Sequence, residues 1–457
     1  MRRFRPKRLV TYFLYRNYRR SAGLKYWFRR KFSPIGGLAI AAMILTGGVG
    51  VDTSQAIAYQ AFILLWFLIL VGLVWSFFPA PPLRAHRTLP RVGTAGQPLV
   101  YRVSVTNPGR RPQSSVTVME DFGDPRPTFT EFENTPEPGE RRRNLFDRFF
   151  RFYRWMWLIE LRKMATTLPV KLPMLPPKKA ADVQMRLIPH KRGHLYLDGL
   201  MFSVTDPFGF CRRFSRCSAA QKVLILPKRY VIPRLDFGGA TKYQPGGVTL
   251  AGSLGESEEF MSVREYRRGD PLRHIHWKST SKTGKLIVKE FQNEFFIRHA
   301  LILDTFLEQT TSPLFEVAVS IAASFALTLN SQESLLDLLF VGTESFTVNA
   351  GHGVAQIDHM LEILAAVQPC TSGDFEDLEE MVLRQVAMVG GCVTILLKWD
   401  EQRQALVEQL SALAIPQIVI ILKRSKQKDP VVKLKSDRFI KVLIVDAAQV
   451  QESLNKL

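Results

Sequence analysis

The sequence predicts a multidomain chain: a two-helix transmembrane hairpin, an antiparallel β-sandwich, and an α/β domain of the Rossmann type. Three observations support this prediction. Two apolar stretches lie near the N-terminus, short alternating runs fill residues 84–230, and strand and helix patterns alternate from residue 296 onward. A chain of 457 residues is also too long for one ordinary domain.

The charge distribution indicates an anionic neighbour. The formal net charge is +21, and the first 31 residues carry twelve Lys or Arg and no acidic residue. Acidic lipid and nucleic acid both suit such a basic excess. Because the basic segment 1–33 directly precedes an apolar stretch, the membrane is favoured and no nucleic acid partner is expected. The four cysteines form no CxxC pair and are typical of a reduced compartment.

The two apolar stretches predict two membrane spans within residues 34–78. Residues 35–51 are short for a span, so a buried helix of a soluble domain is the alternative, whereas residues 56–78 are uncharged and long enough to cross. Lys and Arg flank the pair on both outer sides, and the connection carries only Asp52. The positive-inside rule then places both termini in the cytoplasm and the hairpin in the inner (plasma) membrane. Five glycines in the first stretch would let the two helices approach closely: Gly36, Gly37, Gly47, Gly48 and Gly50.

Residues 84–230 are predicted to form the β-sandwich, interrupted by an insertion at 139–165. Within Leu99–Thr106 the apolar residues recur with period two, as in a half-buried strand. Residues 141–163 instead predict one basic amphipathic helix, either in the headgroup plane of an anionic leaflet or capping the sandwich. Its predicted membrane-interface residues are Phe146, Phe149, Phe150, Tyr153 and Trp157.

Residues 231–295 comprise a Pro- and Gly-rich linker and the densest motif of the chain. Asp270 and Pro271 predict a helix start, with Asp as N-cap and Pro at the first helical position, and the helix is expected to run to about Ser279. The arginines of the motif are expected to pair with Glu258, Glu259 and Glu265 in a polar clamp.

Residues 296–457 alternate strands and helices, which predicts a parallel sheet with both faces covered. In such folds ligands bind at the carboxyl ends of the strands. Asp304 ends the first predicted strand and Asp400 follows a later one, so both are expected at that edge.

The motif resembles the signature of a bacterial family, the domain of unknown function 58. The residues that carry the resemblance are Arg264, Glu265, Tyr266, Gly269, Asp270, Arg273, Ile275, His276, Trp277 and Lys278. The resemblance implies a two-span N-terminal hairpin, a β-rich region with a TDPFGF turn, and a von Willebrand factor A-like α/β domain. It also implies partners: a MoxR-type AAA+ ATPase and a transglutaminase-like membrane protein.

A von Willebrand A-like domain raises the question of a metal site. That fold places hydroxyl and carboxylate ligands for Mg²⁺ after the first strand. Here Asp304 matches, but Phe306 and Glu308 stand where serines are expected, and Asp400 is the candidate for a later ligand. Because Phe does not ligate a metal, we expect no metal and no cofactor, with Mg²⁺ as the alternative.

The favoured function is a non-enzymatic, membrane-anchored adaptor or scaffold whose cytoplasmic domains bind protein partners, with the signature residues as a docking surface. No nucleophile elbow or phosphate loop appears, and His274 and His276, two apart, face different ways on a helix. Two alternatives stay open: a hydrolase-type enzyme using His276 and Asp270, and anion or nucleic-acid binding through the basic motif.

Overall fold

The chain divides into two compact units, Met1–Lys228 and Arg229–Leu457, in a computed structural model. The residues described are 6–49, 56–233, 259–270, 272–292, 298–307, 312–330, 335–342, 345–350, 354–371, 373–385, 389–424, 429–431 and 439–457. The predicted linker before the signature lies mostly outside them.

Three helices open the first unit: α1 (Pro6–Lys31), α2 (Pro34–Val49) and α3 (Ala56–Phe77). Within α3, Ile57–Phe77 has a mean hydropathy of 2.4 and is long enough to cross a membrane. Among the described residues it is the one helix that meets both conditions, because α2, at 16 residues, is shorter. The structure thus gives one candidate span, a weak indication of membrane association.

Helix α1 was missed by the sequence analysis, which left residues 1–33 as a basic segment without structure. Its Tyr15 and Tyr18 pack in a small aromatic core with Phe132 and Trp155. The Tyr15 and Trp155 ring centroids lie 5.9 Å apart, and the Tyr18 hydroxyl donates to the Phe150 carbonyl at 2.9 Å. Packing against these distant aromatic residues therefore stabilises a helix that the basic composition of residues 1–33 did not predict.

The predicted sandwich is present as two sheets. One sheet has the order β1-β3-β7-β5 and the other β2-β9-β8-β4-β6. The strands are β1 (Arg84–Thr88), β2 (Val92–Thr94), β3 (Leu99–Thr106), β4 (Val116–Asp121), β5 (Ala165–Thr167), β6 (Val170–Lys171), β7 (Ala180–Pro189), β8 (Gly193–Thr205) and β9 (Arg212–Leu226). Their pairing is antiparallel except between β2 and β9, which run parallel.

The basic flank after the second apolar stretch is only partly a surface feature. Arg87 is one of the arginines of this flank, together with Arg84 and Arg91, but it lies inside the sandwich and is 1 % exposed. Its guanidinium is 3.5 Å from the Glu120 carboxylate and donates to the Ala219 carbonyl at 2.6 Å. A buried arginine needs such partners, because its desolvation is costly.

The insertion is not the single helix that was predicted. It contains a 3-10 turn (Glu140–Arg142), α5 (Leu145–Phe150) and α6 (Phe152–Arg162), and α4 (Phe129–Asn134) lies just before it. Arg151, at φ 53°, takes the left-handed conformation that ends α5 and starts α6. The buried face of α6 is Arg154, Trp155 and Leu158, not the predicted aromatic face.

The TDPFGF turn fixes the start of α2. The Ser33 N–H donates to the Phe210 carbonyl at 2.9 Å, and Asp206 Oδ1 accepts from the Phe210 N–H at 2.7 Å. Gly36 lies so close to the Phe210 carbonyl that a Cβ would overlap it, whereas Gly47 faces Phe62 of α3. The expected glycine contact between α2 and α3 is thus made at Gly47, while Gly36 serves a different contact; Gly50 lies outside the described residues.

The second unit contains a two-stranded sheet and a six-stranded sheet. β10 (Glu259–Glu265) pairs antiparallel with β11 (Ile287–Gln292); between them lie a 3-10 turn (Leu272–His274) and α7 (Trp277–Thr283). The larger sheet has the order β14-β13-β12-β15-β16-β17 and is parallel except for the edge strand β14.

The strands of that sheet and its helices follow the predicted alternation closely. They are β12 (Arg298–Leu303), α8 (Pro313–Asn330), β13 (Leu335–Val341), β14 (Ser345–Ala350), α9 (Val354–Ala366), α10 (Phe375–Gln385), β15 (Gly391–Leu396), α11 (Glu401–Ala412), β16 (Gln417–Lys423), β17 (Ile440–Asp446) and α12 (Val450–Leu454). The sequence analysis missed β14 and α12. The chain order reverses between β12 and β15, which creates the crevice where α/β folds hold ligands.

Candidate functional site

The signature residues form a small self-supporting unit on the β10–β11 hairpin. Ile275, 6 % exposed, and Val288, 3 % exposed, form its apolar centre and are joined by a β-bridge. The Tyr266 N–H donates to the Leu286 carbonyl at 2.9 Å, and the His276 N–H donates to the Ile287 carbonyl at 2.8 Å. We call residues 262–292 the signature hairpin.

Asp270 organises the turn of the signature hairpin. Two guanidinium nitrogens of Arg264 donate to its carboxylate at 2.7 and 2.8 Å, and the Arg267 N–H adds a third bond at 2.8 Å. These bonds, the Arg264 side chain first, lower the pKa of Asp270 to about 2. Gly269, at φ 114°, supplies a backbone conformation that side chains disfavour.

The predicted N-cap role of Asp270 is wrong. Residues 272–274 form a 3-10 turn, and α7 begins only at Trp277, with His276 in the N-cap position. Asp270 bonds back to Arg264 and Arg267 instead, so its carboxylate is not directed at the amides of α7. Pro271 lies outside the described residues.

The predicted polar clamp closes within the hairpin. Lys285 Nζ lies 2.7 Å from Glu265 Oε1, and both side chains are more than 60 % exposed. Arg264 pairs with Asp270 at 2.7 Å, and the side chain of Glu259 lies outside the described residues. Glu258 lies outside the described residues. The pairs therefore stabilise the local turn, and an exposed pair such as Lys285–Glu265 adds little to stability.

The two histidines bond to neighbours in sequence. His276 Nδ1 lies 2.7 Å from Ser279 Oγ, and Arg273 Nε lies 3.2 Å from His274 Nε2. Across the described ranges, no group of three or more His, Cys, Asp or Glu side chains is placed to hold a metal ion. An aspartate with a pKa near 2 stays ionised at neutral pH, so it is a poor general acid or base.

The outer surface of the signature hairpin combines apolar and basic side chains. Trp277 is 67 % exposed and Leu272 is 68 % exposed. Arg273 follows Leu272 directly, Lys278 follows Trp277, and Lys282 lies on the same short helix as Trp277; all three basic side chains are exposed. Arg267 and Arg268, before the turn, are exposed as well. Tryptophan and arginine are enriched at protein-binding surfaces.

The carboxyl edge of the six-stranded sheet holds a second polar cluster. Asp304, fully buried after β12, accepts from Arg403 Nε at 2.6 Å and from Arg403 Nη2 at 3.0 Å. It also accepts from the Leu397 N–H at 3.1 Å. Asp400, after β15, caps α11 and accepts from Arg403 Nη1 at 2.7 Å. The guanidinium of Arg403 thus lies between the two candidate metal ligands.

Arg403 was missed by the sequence analysis, although it stands three residues after Asp400 in the first turn of α11. Burial alone lowers the pKa of Arg403, but its bonds to Asp304 and Asp400 raise it above the ordinary value. Its guanidinium also lies 4.4 Å from the Phe375 ring centroid. Glu308, the third metal candidate, lies outside the described residues.

The predicted membrane-interface residues are divided by the break at Arg151. Phe146 and Phe149 on α5 are 69 % and 59 % exposed, while Phe150 is half-buried. On α6, Tyr153 lies under the Arg143 guanidinium, and Trp157 packs at the margin of the aromatic core. The structure does not place the five on one helical face.

Comparison with known proteins agrees with the signature. Residues 262–420, from β10 into β16, match the model of the family described as "Protein of unknown function DUF58". The chain is 23 % identical over 219 residues to a Bacillus subtilis protein named "Uncharacterized protein YeaD", covering 46 % of this chain and 53 % of that one. It therefore spans about half the length of this curated relative.

Solved structures give no further argument. The CARDB domain of a Pyrococcus furiosus protein aligns with 32 % of this chain and 97 % of its own length, at 12 % identity and a TM-score of 0.16. Salmonella α-2-macroglobulin aligns with 34 % of this chain and 8 % of its own length, at 11 % identity and a TM-score of 0.17. Scores this low carry no inference about fold or function.

Proposed function

We propose that this chain is a non-enzymatic, membrane-anchored adaptor whose signature hairpin binds a protein partner. One observation carries the proposal. Asp270 and Glu265 are held by ion pairs inside the hairpin, while Trp277 and Leu272 remain exposed beside basic residues. A surface of this kind fits a partner with an apolar pocket rimmed by acidic residues.

The resemblance in the signature suggests what the partner is. Family members are associated with MoxR-type AAA+ ATPases and transglutaminase-like membrane proteins, so a MoxR-type ATPase is the first candidate. The match at residues 262–420 supports membership of the DUF58 family, as does the similarity to YeaD. The resemblance and the one long apolar helix support the membrane anchor, and we retain α2 as the second arm of a hairpin.

We further propose that the six-stranded sheet is a von Willebrand A-like domain without a metal. Numbered along this domain, its strand order is 3-2-1-4-5-6 with an antiparallel edge strand. Asp304 and Asp400 occupy the switch point where that fold holds its ion, and the Arg403 cation supplies the neutralising charge there. Mg²⁺ is therefore not required.

Site-specific photo-crosslinking tests the partner proposal. A benzophenone amino acid replaces Trp277 in the full chain in native membranes, and the matched control replaces Leu413, which is 50 % exposed on the same unit. We expect a discrete protein adduct from position 277, lost in a Lys278→Glu, Lys282→Glu background and absent from position 413. The same adduct from both positions, or none from 277, contradicts the proposal.

The enzyme and nucleic-acid alternatives have separate tests. His276→Ala is expected to complement a deletion of the gene, because the bond between His276 Nδ1 and Ser279 Oγ, at 2.7 Å, gives the imidazole a structural role in α7. Loss of complementation with the 277 adduct intact would favour the hydrolase-type alternative. Salt-sensitive binding of DNA or RNA by the detergent-solubilised chain would favour the nucleic-acid alternative.

A further inference from the structure

Helix α1 has two apolar faces, and the protein covers one of them. The covered face is Tyr15 and Tyr18, which pack on Phe132 and Trp155. The opposite face follows helical spacing of three and four and remains exposed. We call it the α1 stripe: Leu9 (54 % exposed), Phe13 (64 %), Arg16, Arg20, Leu24 (67 %) and Trp27 (43 %).

The charge of α1 indicates what covers the stripe. Arg16 and Arg20 lie within it, both exposed, between the apolar pairs at its two ends. The helix contains nine Lys or Arg and no Asp or Glu. A basic helix with Trp, Phe and Leu on an exposed face is the composition of a helix that lies in an anionic headgroup layer. A protein cover would need an acidic groove along the stripe from Leu9 to Trp27, about 27 Å at 1.5 Å rise per residue.

The position of α1 agrees with this cover. Lys31, the last residue of α1, donates from Nζ to the Ser76 carbonyl at 2.9 Å and lies 5.1 Å from the Phe77 ring centroid. Ser76 and Phe77 end the candidate span. If α3 crosses a membrane, the C-terminal end of α1 therefore lies at the level of the headgroups. Trp27 is close to that end, where aromatic side chains favour the interface.

We propose that the α1 stripe lies in the headgroup region of an anionic leaflet, with Leu9, Phe13, Leu24 and Trp27 between acyl chains and Arg16 and Arg20 on lipid phosphates. This inference rests on the proposed membrane anchor. It adds that α1 is a second, in-plane attachment beside the span, which fixes the height of the first unit on the bilayer.

Fluorescence of a single attached probe tests the inference. The full chain carries Cys217→Ser, to remove the half-buried native thiol, and Phe13→Cys labelled with an environment-sensitive fluorophore. The matched control carries the label at Tyr196→Cys on β8, where the native side chain is 65 % exposed. Each protein is reconstituted into phosphatidylcholine vesicles with or without phosphatidylglycerol.

We expect a blue-shifted emission at position 13 that lipid-attached bromine quenches, stronger with phosphatidylglycerol and reduced by Arg16→Glu, Arg20→Glu. The probe at 196 is expected to report water in every vesicle. Water-like emission at 13 in a chain that resists alkaline extraction overturns the inference and leaves the anchor standing. Release of the chain by alkali overturns the anchor itself. Crosslinking of two copies through position 13, with emission insensitive to lipid, also overturns the inference.

Discussion

At the scale of single residues, the buried charges decide how the α/β domain is built. Arg403 and Asp304 are 1 % and 0 % exposed, and neither has solvent to stabilise its charge. Each is stable only because the other is present, in a bidentate pair supported by Asp400 and the Leu397 N–H. This mutual dependence makes the cluster a sensitive point of the fold.

Arg403→Met is predicted to lower the free energy of unfolding of the second unit by about 3–5 kcal/mol, because it leaves Asp304 buried and unpaired. The urea midpoint of the detergent-solubilised chain measures this. The control is Arg384→Met, which breaks an exposed pair with Glu380 and is expected to cost about 0.5 kcal/mol or less. Adding Asp304→Asn to Arg403→Met should recover part of the loss. Equal midpoints for the two single variants would contradict this account.

His299 on β12 predicts a pH dependence. Burial lowers its pKa to about 4 from an ordinary value of 6.5. A histidine whose folded pKa is depressed stabilises the fold fully above the unfolded pKa, and this contribution is lost as pH falls from about 6.5 to 4. The loss amounts to at most about 3 kcal/mol, at 1.36 kcal/mol per pKa unit.

The measurement is the urea midpoint of wild type and His299→Leu at pH 7 and pH 5. Wild type is expected to lose more stability than the variant on acidification. Wild type must be compared with the variant at each pH, because a second buried group also titrates. Burial raises the pKa of Asp337, so Asp337 increases stability as the pH falls, opposite to His299. A variant with the same pH slope as wild type would show that His299 does not control it.

At the scale of elements, close backbone approach governs how the N-terminal helices attach to the sandwich. The turn of residues 206–210 contacts the start of α2 through a backbone hydrogen bond from Ser33 to Phe210. The Arg213 guanidinium lies 4.1 Å from the ring centroid of Trp75, near the end of α3. The apolar helices are therefore joined to the sandwich by specific contacts and not by a flexible linker alone.

Gly36→Ala is predicted to disturb that attachment, because its Cβ would overlap the Phe210 carbonyl. Gly37→Ala is the matched control, one residue away with nothing within 4 Å of the new Cβ. We expect a lower yield of folded chain in membranes and a lower melting temperature in detergent for Gly36→Ala only. Indistinguishable variants would mean that α2 shifts at no cost.

At the scale of the whole molecule, the direction of insertion remains a prediction of charge. The basic flanks predict that both termini are cytoplasmic, although Arg87 is inside the sandwich and does not contribute a surface charge. Arg84 and Arg91 are exposed and remain on that side of α3, and α1 supplies the larger basic flank.

A reporter enzyme active only outside the cytoplasm tests the topology. Fused after Leu457, it is expected to be inactive; inserted between α2 and α3, it is expected to be active, because a hairpin exposes that connection on the far side. Activity after Leu457 would reverse the orientation. Inactivity at the insertion, with a cytoplasmic reporter active there, would show that α2 does not cross and that α3 spans alone or not at all.

Local sequence patterns were sufficient to predict several parts of the fold. Period-two and helical spacing predicted the sandwich and the strand and helix order of the α/β domain. The density of charged, aromatic, Gly and Pro residues identified the signature motif, although not its hairpin. The sequence could not predict that α1 is a packed helix, because α1 packs on aromatic residues more than a hundred positions away. The sequence also did not predict that the insertion divides into two helices at Arg151, because a positive φ is uncommon for a residue other than glycine.

The tertiary structure decided how the polar residues are used. The sequence predicts Asp270 as a helix cap, but in the structure its carboxylate accepts hydrogen bonds from Arg264 on the preceding strand. In the sequence, Asp304 and Asp400 are the candidate ligands of an incomplete metal site, but α11 places the Arg403 cation between them. Pattern and propensity act over a few residues, whereas charge compensation depends on distances across the fold. The roles of these side chains were therefore settled only when distant elements met.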